Sequence, residues 1–141
     1  MREILFRGKR EEDGGWIYGL YSDDYVYDTD FPCVVPLRSG AIYESWSVIR
    51  DTVGQYTGLL DKNGKKIFEG DIVESRASDN KEDWKRWIVT FYDGSLCFER
   101  EISRKRKHKH EQNLLCVDEV KLYGLAVIGN IYDNPELLKG E

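Results

Sequence analysis

The stretch from Thr52 to Val73, TVGQYTGLLDKNGKKIFEGDIV, constrains this chain more than any other, because 22 residues hold two apolar arms, a tight turn and a glycine break. In Asp61-Lys62-Asn63-Gly64 the aspartate can bond backbone amides two residues on. The asparagine tolerates the left-handed region, and the glycine takes positive φ at no steric cost. Tyr56 to Leu60 and Lys66 to Phe68 are the two arms. Glu69-Gly70-Asp71-Ile72-Val73 then opens a new strand, Gly70 letting the backbone swing and Ile72 and Val73 supplying β-branched packing. A reversal followed by a corner suits a small curled sheet.

The same pattern of short β-rich runs and turns continues on both sides. Trp87 to Tyr92 meets Asp93-Gly94 and then Ser95 to Glu99, which is a strong hairpin signal, with Trp87, Val89 and Phe91 on one face of the first arm and Leu96 and Phe98 on one face of the second. Towards the start, Ile4 to Phe6 and Trp16 to Tyr21 predict a first hairpin around the charged Lys9 to Asp13 and the turn Gly14-Gly15. Tyr25 to Tyr27, Ile42-Tyr43 and Ser47 to Ile49 are weaker strand candidates. Phe31 to Pro36 carries prolines at positions 32 and 36, which cannot donate to a central ladder, so an edge strand or a loop is expected. Ser75 to Asp83 has no apolar periodicity and reads as a solvated loop. Gln112 to Tyr123 is compatible with a short helix or an irregular strand. Leu125 to Tyr132 predicts a last strand bent at Gly129. Asn134-Pro135 has the chemistry of a helix start, with Asn as cap, so a single closing turn through Leu138 is expected.

Three blocks of this chain resemble the YopX family of phage and prophage proteins. They are the central stretch, Phe6-Arg7-Gly8-Lys9 with Trp16-Ile17-Tyr18-Gly19, and Val127-Ile128-Gly129-Asn130-Ile131-Tyr132-Asp133-Asn134-Pro135-Glu136-Leu137. The resemblance spans nearly the whole chain around a divergent middle. It implies a mostly β protein with an SH3-like barrel, carried by phages and mobile elements of bacteria. The family has no assigned activity, so the resemblance transfers no catalytic residue. The strand at Gly70 to Val73, a variable loop and the Asp93-Gly94 hairpin come in the order of an SH3-like meander.

Charge carries the one functional hint. Arg104-Lys105-Arg106-Lys107-His108-Lys109-His110 holds five of the 21 Lys and Arg residues and none of the 26 Asp and Glu, leaving 16 cations against 26 anions, or −10, elsewhere. This is an acidic body with one basic segment. Such a segment attracts a nucleic acid, or docks on the acidic body of the next subunit in an oligomer.

Other chemistries find little support. No G-x-S-x-G elbow, Walker loop or G-x-G-x-x-G opening a helix is present. Gly54, Gly58 and Gly64 are explained by turns and bulges. Asp61, Asn63 and Gly64 echo a calcium loop without its remaining ligands. Glu69 and Asp71 are expected to satisfy turn amides. Cys33, Cys97 and Cys116 are odd in number and lack C-x-x-C spacing, and no hydrophobic leader precedes them, so reduced thiols in a cytoplasmic protein are expected. A zinc site would require them to converge with His108 and His110, and no cofactor or metal is expected. No apolar run approaches the ~20 residues of a membrane span.

The expected fold is therefore mostly β. An SH3-like small barrel takes residues 52–141 and ends in a short helical turn, and an N-terminal β-hairpin region, residues 1–51, packs on it as one compact unit. The expected function is that of a non-catalytic phage or prophage accessory protein. It works through protein contacts, as a homo-oligomer and with a phage or host protein, with Arg104, Lys105, Arg106, Lys107, His108, Lys109 and His110 as the contact segment. A nucleic-acid-binding module using the same segment is the alternative.

Overall fold

A computed structural model describes residues 3–22, 32–36, 46–76, 79–81, 84–92, 95–99, 114–116 and 124–138. These residues form two antiparallel sheets, with short 3-10 turns at Arg50–Thr52 and Pro135–Leu138. The chain divides into two compact units, Met1–Gly58 and Leu59–Glu141.

In the first unit, β1 (Phe6–Lys9) and β2 (Trp16–Ser22) form the expected hairpin, joined to β3 (Cys33–Pro36), β4 (Trp46–Ser47) and the start of β5 (Gly54–Leu60) in the order β4-β3-β2-β1-β5. Two expectations need correction. The first strand runs from Phe6 to Lys9 rather than from Ile4 to Phe6: Arg7 and Lys9 pair with Tyr18 and Trp16, and their cationic groups lie over the Trp16 ring. The segment 33–36 is neither an edge strand nor a loop but lies between β2 and β4. Its prolines are compatible with that place. Pro32 stands before the strand and only accepts, from the Val48 amide at 3.0 Å, while Pro36 lies past the last β4 partner, Val34↔Trp46. Gly19 lets β2 and β3 close up, since a Cβ there would come 2.0 Å from the Val35 carbonyl oxygen. Thr52 fastens the 3-10 turn to β1, its hydroxyl accepting from the Lys9 amide at 2.9 Å and donating to the Ile49 carbonyl at 2.6 Å.

In the second unit, β6 (Lys66–Phe68) follows the central turn. A five-stranded sheet is then built from β7 (Asp71–Ser75), β8 (Lys85–Tyr92), β9 (Ser95–Glu99), β10 (Leu114–Cys116) and β11 (Leu125–Asn130) in the order β10-β9-β8-β7-β11. The hairpin β8–β9 has the expected register, Val89↔Phe98 and Phe91↔Leu96, with Tyr92 opposite Ser95 across Asp93-Gly94. Within the segment Gln112 to Tyr123, residues 114–116 are a strand, and the rest of it lies outside the described residues. Ile67, Val73, Trp87, Val89, Phe98 and Leu125 are buried together, and Leu59 and Val127 pack against them. Ile72, Ile88 and Leu138 form a second cluster with Ile128, Ile131 and Leu137, so the closing turn Pro135–Leu138 covers the opposite face of β7 and β8. This is the mostly β, small barrel-like architecture expected.

The last strand breaks register between Val127 and Gly129, the bend anticipated at Gly129. Asn134 does not act as a simple cap. Its side-chain oxygen accepts from the Asn130 amide at 3.3 Å, while its carbonyl takes the Leu137 amide at 3.1 Å. A Cβ on Gly129 would come within 2.6 Å of that same side-chain oxygen.

Candidate functional site

The register of β1 and β2 builds a face that combines positive charge with aromatic surface. Lys9 is opposite Trp16, Arg7 is opposite Tyr18, and Leu20 is opposite Val35, so these six side chains point to one side of the sheet. The Arg7 guanidinium carbon lies 4.5 Å from the centroid of the Trp16 ring and the Lys9 ammonium 5.7 Å from it. Contacts of this kind contribute about 0.5–2 kcal/mol, rising as water is excluded, and Arg7 is 5% exposed. Tyr18 and Leu20, by contrast, are 45% and 46% exposed. On the other side of the sheet Arg10 lies 5.1 Å from the Trp46 ring and makes a 3.0 Å ion pair with Asp13 that lacks hydrogen-bond alignment. The Gly15 amide and the Arg10 charge hold the Asp13 carboxyl below its usual value.

A second group forms in the second unit. Glu74, on β7, takes Arg76 Nε at 2.9 Å and Arg86 Nε at 3.1 Å on its two oxygens, and Arg86 Nη1 donates to the Leu137 carbonyl at 2.6 Å. Arg76 also lies 5.0 Å from the Trp84 ring, with Lys81 5.8 Å from the same ring. One largely buried carboxylate thus orients two guanidiniums, and one of them fastens the closing turn over the Ile72 and Ile88 cluster. Its role in the fold is plain from these partners.

Asp71 and Asp61 of the central block satisfy turn amides, as expected of them. Asp71, 1% exposed, accepts from the Phe68 amide at 2.8 Å across the Glu69-Gly70 corner. Asp61 accepts from the Asn63 and Lys65 amides on one oxygen, both at 2.8 Å, and from the distant Val127 amide on the other at 2.9 Å. Cys33 and Cys97 are buried free thiols, and burial pushes the Cys33 thiol up. Among the described residues no group of three or more His, Cys, Asp or Glu is placed to hold a metal, and no helix is long and apolar enough to cross a membrane.

Arg104, Lys105, Arg106, Lys107, His108, Lys109 and His110 lie outside the described residues, as do Tyr25 to Tyr27 and Ile42-Tyr43. The face around Trp16 was not singled out as a site from the sequence, where its residues marked a hairpin and one block of the family resemblance. Its signal was the alternation Arg-x-Lys facing Trp-x-Tyr-x-Leu, which places polar and apolar residues together on one side where a plain sheet would separate them.

Comparison with curated proteins gives no match. Among solved structures the chain is similar to protein EF1440 from Enterococcus faecalis, with 24% identity and a TM-score of 0.61 over 99% of this chain and 100% of that one. It is also similar to yopX from Bacillus subtilis, with 22% identity and a TM-score of 0.49 over 100% of this chain and 99% of that one. The first likeness supports the fold. The family model described as YopX protein matches residues 5–139, and this chain belongs to the YopX family.

Proposed function

We propose that the chain is a non-catalytic accessory protein of phages and prophages, resident in the cytoplasm of the bacterial host, that acts through protein–protein contacts as a homo-oligomer. The observation that carries this reading is the face around Trp16. Single exposed apolar residues are ordinary on any protein, but Tyr18 and Leu20 stand at successive same-side positions of one strand, continuous with Trp16 and Val35. A second copy offers a dry cover for such a stripe. The charge pattern supports the same reading, since the basic segment Arg104 to His110 of one copy meets a −10 remainder on the next.

A nucleic-acid-binding module remains the second reading, favoured by the basic segment alone. Against it, Trp16 and Trp84 each already carry two of the chain's own cations near the ring, and a stacking base has to displace them. The experiment is to replace Tyr18 and Leu20 together by Ser and measure mass by light scattering. An oligomeric parent and a lighter, folded variant are expected. A parent that stays monomeric at the highest concentration reached overturns the oligomer.

A further inference from the structure

We infer that the turn Asp61 to Lys65 is a guard on an interaction edge: it covers the outer edge of β11, which without it is a docking edge for the same strand of a second copy. β11 is the last strand of its sheet and pairs with β7 on one side only. Its other side presents the backbone groups of Leu125 and Val127, and both meet the turn. The Lys62 amide donates to the Leu125 carbonyl at 2.8 Å, and the Val127 amide donates to Asp61 Oδ2 at 2.9 Å. A carboxylate oxygen thus stands where a neighbouring strand would bring a carbonyl. Exposed edges of this kind recruit other strands, and covering the edge with a loop is one way proteins prevent it.

Asp61 is suited to the task because its two oxygens are divided. Oδ1 holds the turn together through the Asn63 and Lys65 amides, and Oδ2 reaches out to β11. The charge of the carboxylate strengthens all three bonds. Lifting the guard frees an outward donor at Val127 and an outward acceptor at Leu125. These are the two groups that an antiparallel copy of the same edge satisfies about a two-fold axis, joining two five-stranded sheets into one.

The inference does not depend on the oligomer proposed above, because it concerns mass gained relative to the parent, whatever the parent's mass is. The test is Asp61→Asn and Asp61→Ala, with Val127→Pro added to each. In Asp61→Asn the oxygen stays with the two turn amides and Nδ2 faces the Val127 amide, donor against donor, so the turn persists while the edge contact is lost. Far-UV circular dichroism and a cooperative melt establish folding, and sedimentation velocity reads mass. The expected result is a concentration-dependent rise to about twice the parent mass. Val127→Pro should reverse it, because proline removes the outward donor and blunts an edge strand. Folded Asp61 variants that keep the parent's mass, or a rise in mass that Val127→Pro leaves in place, overturn the inference. Failure of both Asp61 variants to fold also overturns it, since the turn is then a folding element and not a guard.

Discussion

Asp61 is where the fold is most concentrated in a single side chain, and its titration follows from its contacts. Burial pushes its carboxyl up. The amides of Val127, Lys65 and Asn63 and the charge of Lys65 outweigh that and hold it below its usual value. A carboxyl depressed in the folded state contributes stability that is fully present above its unfolded pKa of about 4, and loses it as pH falls through the folded value. The melting temperature of the parent should therefore drop as pH falls from about 5 to about 2, and more steeply than that of Asp61→Asn; parallel curves would mean that the carboxylate is not what fastens the turn. Gly64, three residues on, has φ near +82° with nothing within 4 Å of where a Cβ would sit. Gly64→Val should cost about 1–3 kcal/mol, all of it backbone conformation, whereas Asp79→Ser in the exposed segment after β7 should stay within about 0.5 kcal/mol. Urea denaturation of the two variants measures the contrast. Half of Asp61's role was legible in the sequence, because turn chemistry acts over two to four residues. The Val127 contact, 66 residues away, was not, since no local pattern encodes it.

At the scale of elements, strands announced by their own residues were read well, and strands defined by neighbours were not. The arms of the central hairpin, Gly54–Leu60 and Lys66–Phe68, and the pair β8–β9 follow from β-branched and aromatic runs around Asn-Gly and Asp-Gly turns. For β3 the prolines misled, because proline excludes a residue from a ladder only where its amide is needed, and here both lie at the ends. Arg7 and Lys9 misled in another way: charge suggested the end of a strand, while their cationic groups sit over the Trp16 ring. The close approach of β2 and β3 at Gly19 yields a sharp expectation. Gly19→Ala places a carbon on the Val35 carbonyl oxygen and should destabilise by about 1–3 kcal/mol or more, with loss of protection of the β2 and β3 amides in hydrogen exchange before those of β8. Uniform protection across both units would contradict that register.

For the whole molecule, residues that carry the family resemblance turn out to hold turns and packing within each unit. Arg7 and Trp16 stack in the first unit. Asp61 and Asp71 hold turns in the second, where Asn130 takes the Tyr132 and Asp133 amides at 3.0 and 2.9 Å. This explains in physical terms why those blocks name a fold without naming a reaction. Charge is the property left over. The first unit has 6 Lys and Arg against 10 Asp and Glu, and the second has 15 against 16, five of its cations lying within Arg104 to His110. Both bodies are acidic, and one segment is not. Binding of a polyanion to that segment fades steeply as salt rises. In the oligomer proposed above, an acidic neighbour of the same kind is the counter-surface that every copy repeats.

The most direct measurement is the solution mass of the parent and of the variant Lys105→Ser, Arg106→Ser, Lys107→Ser at about 150 mM salt, with DNA and RNA binding followed under the same conditions. Contacts between protein chains predict a parent of oligomeric mass, a lighter variant, and no tight nucleic-acid binding by either. A parent that binds nucleic acid tightly, with a variant that loses this binding while keeping the parent's mass, would contradict the protein-contact reading and put the nucleic-acid module in its place.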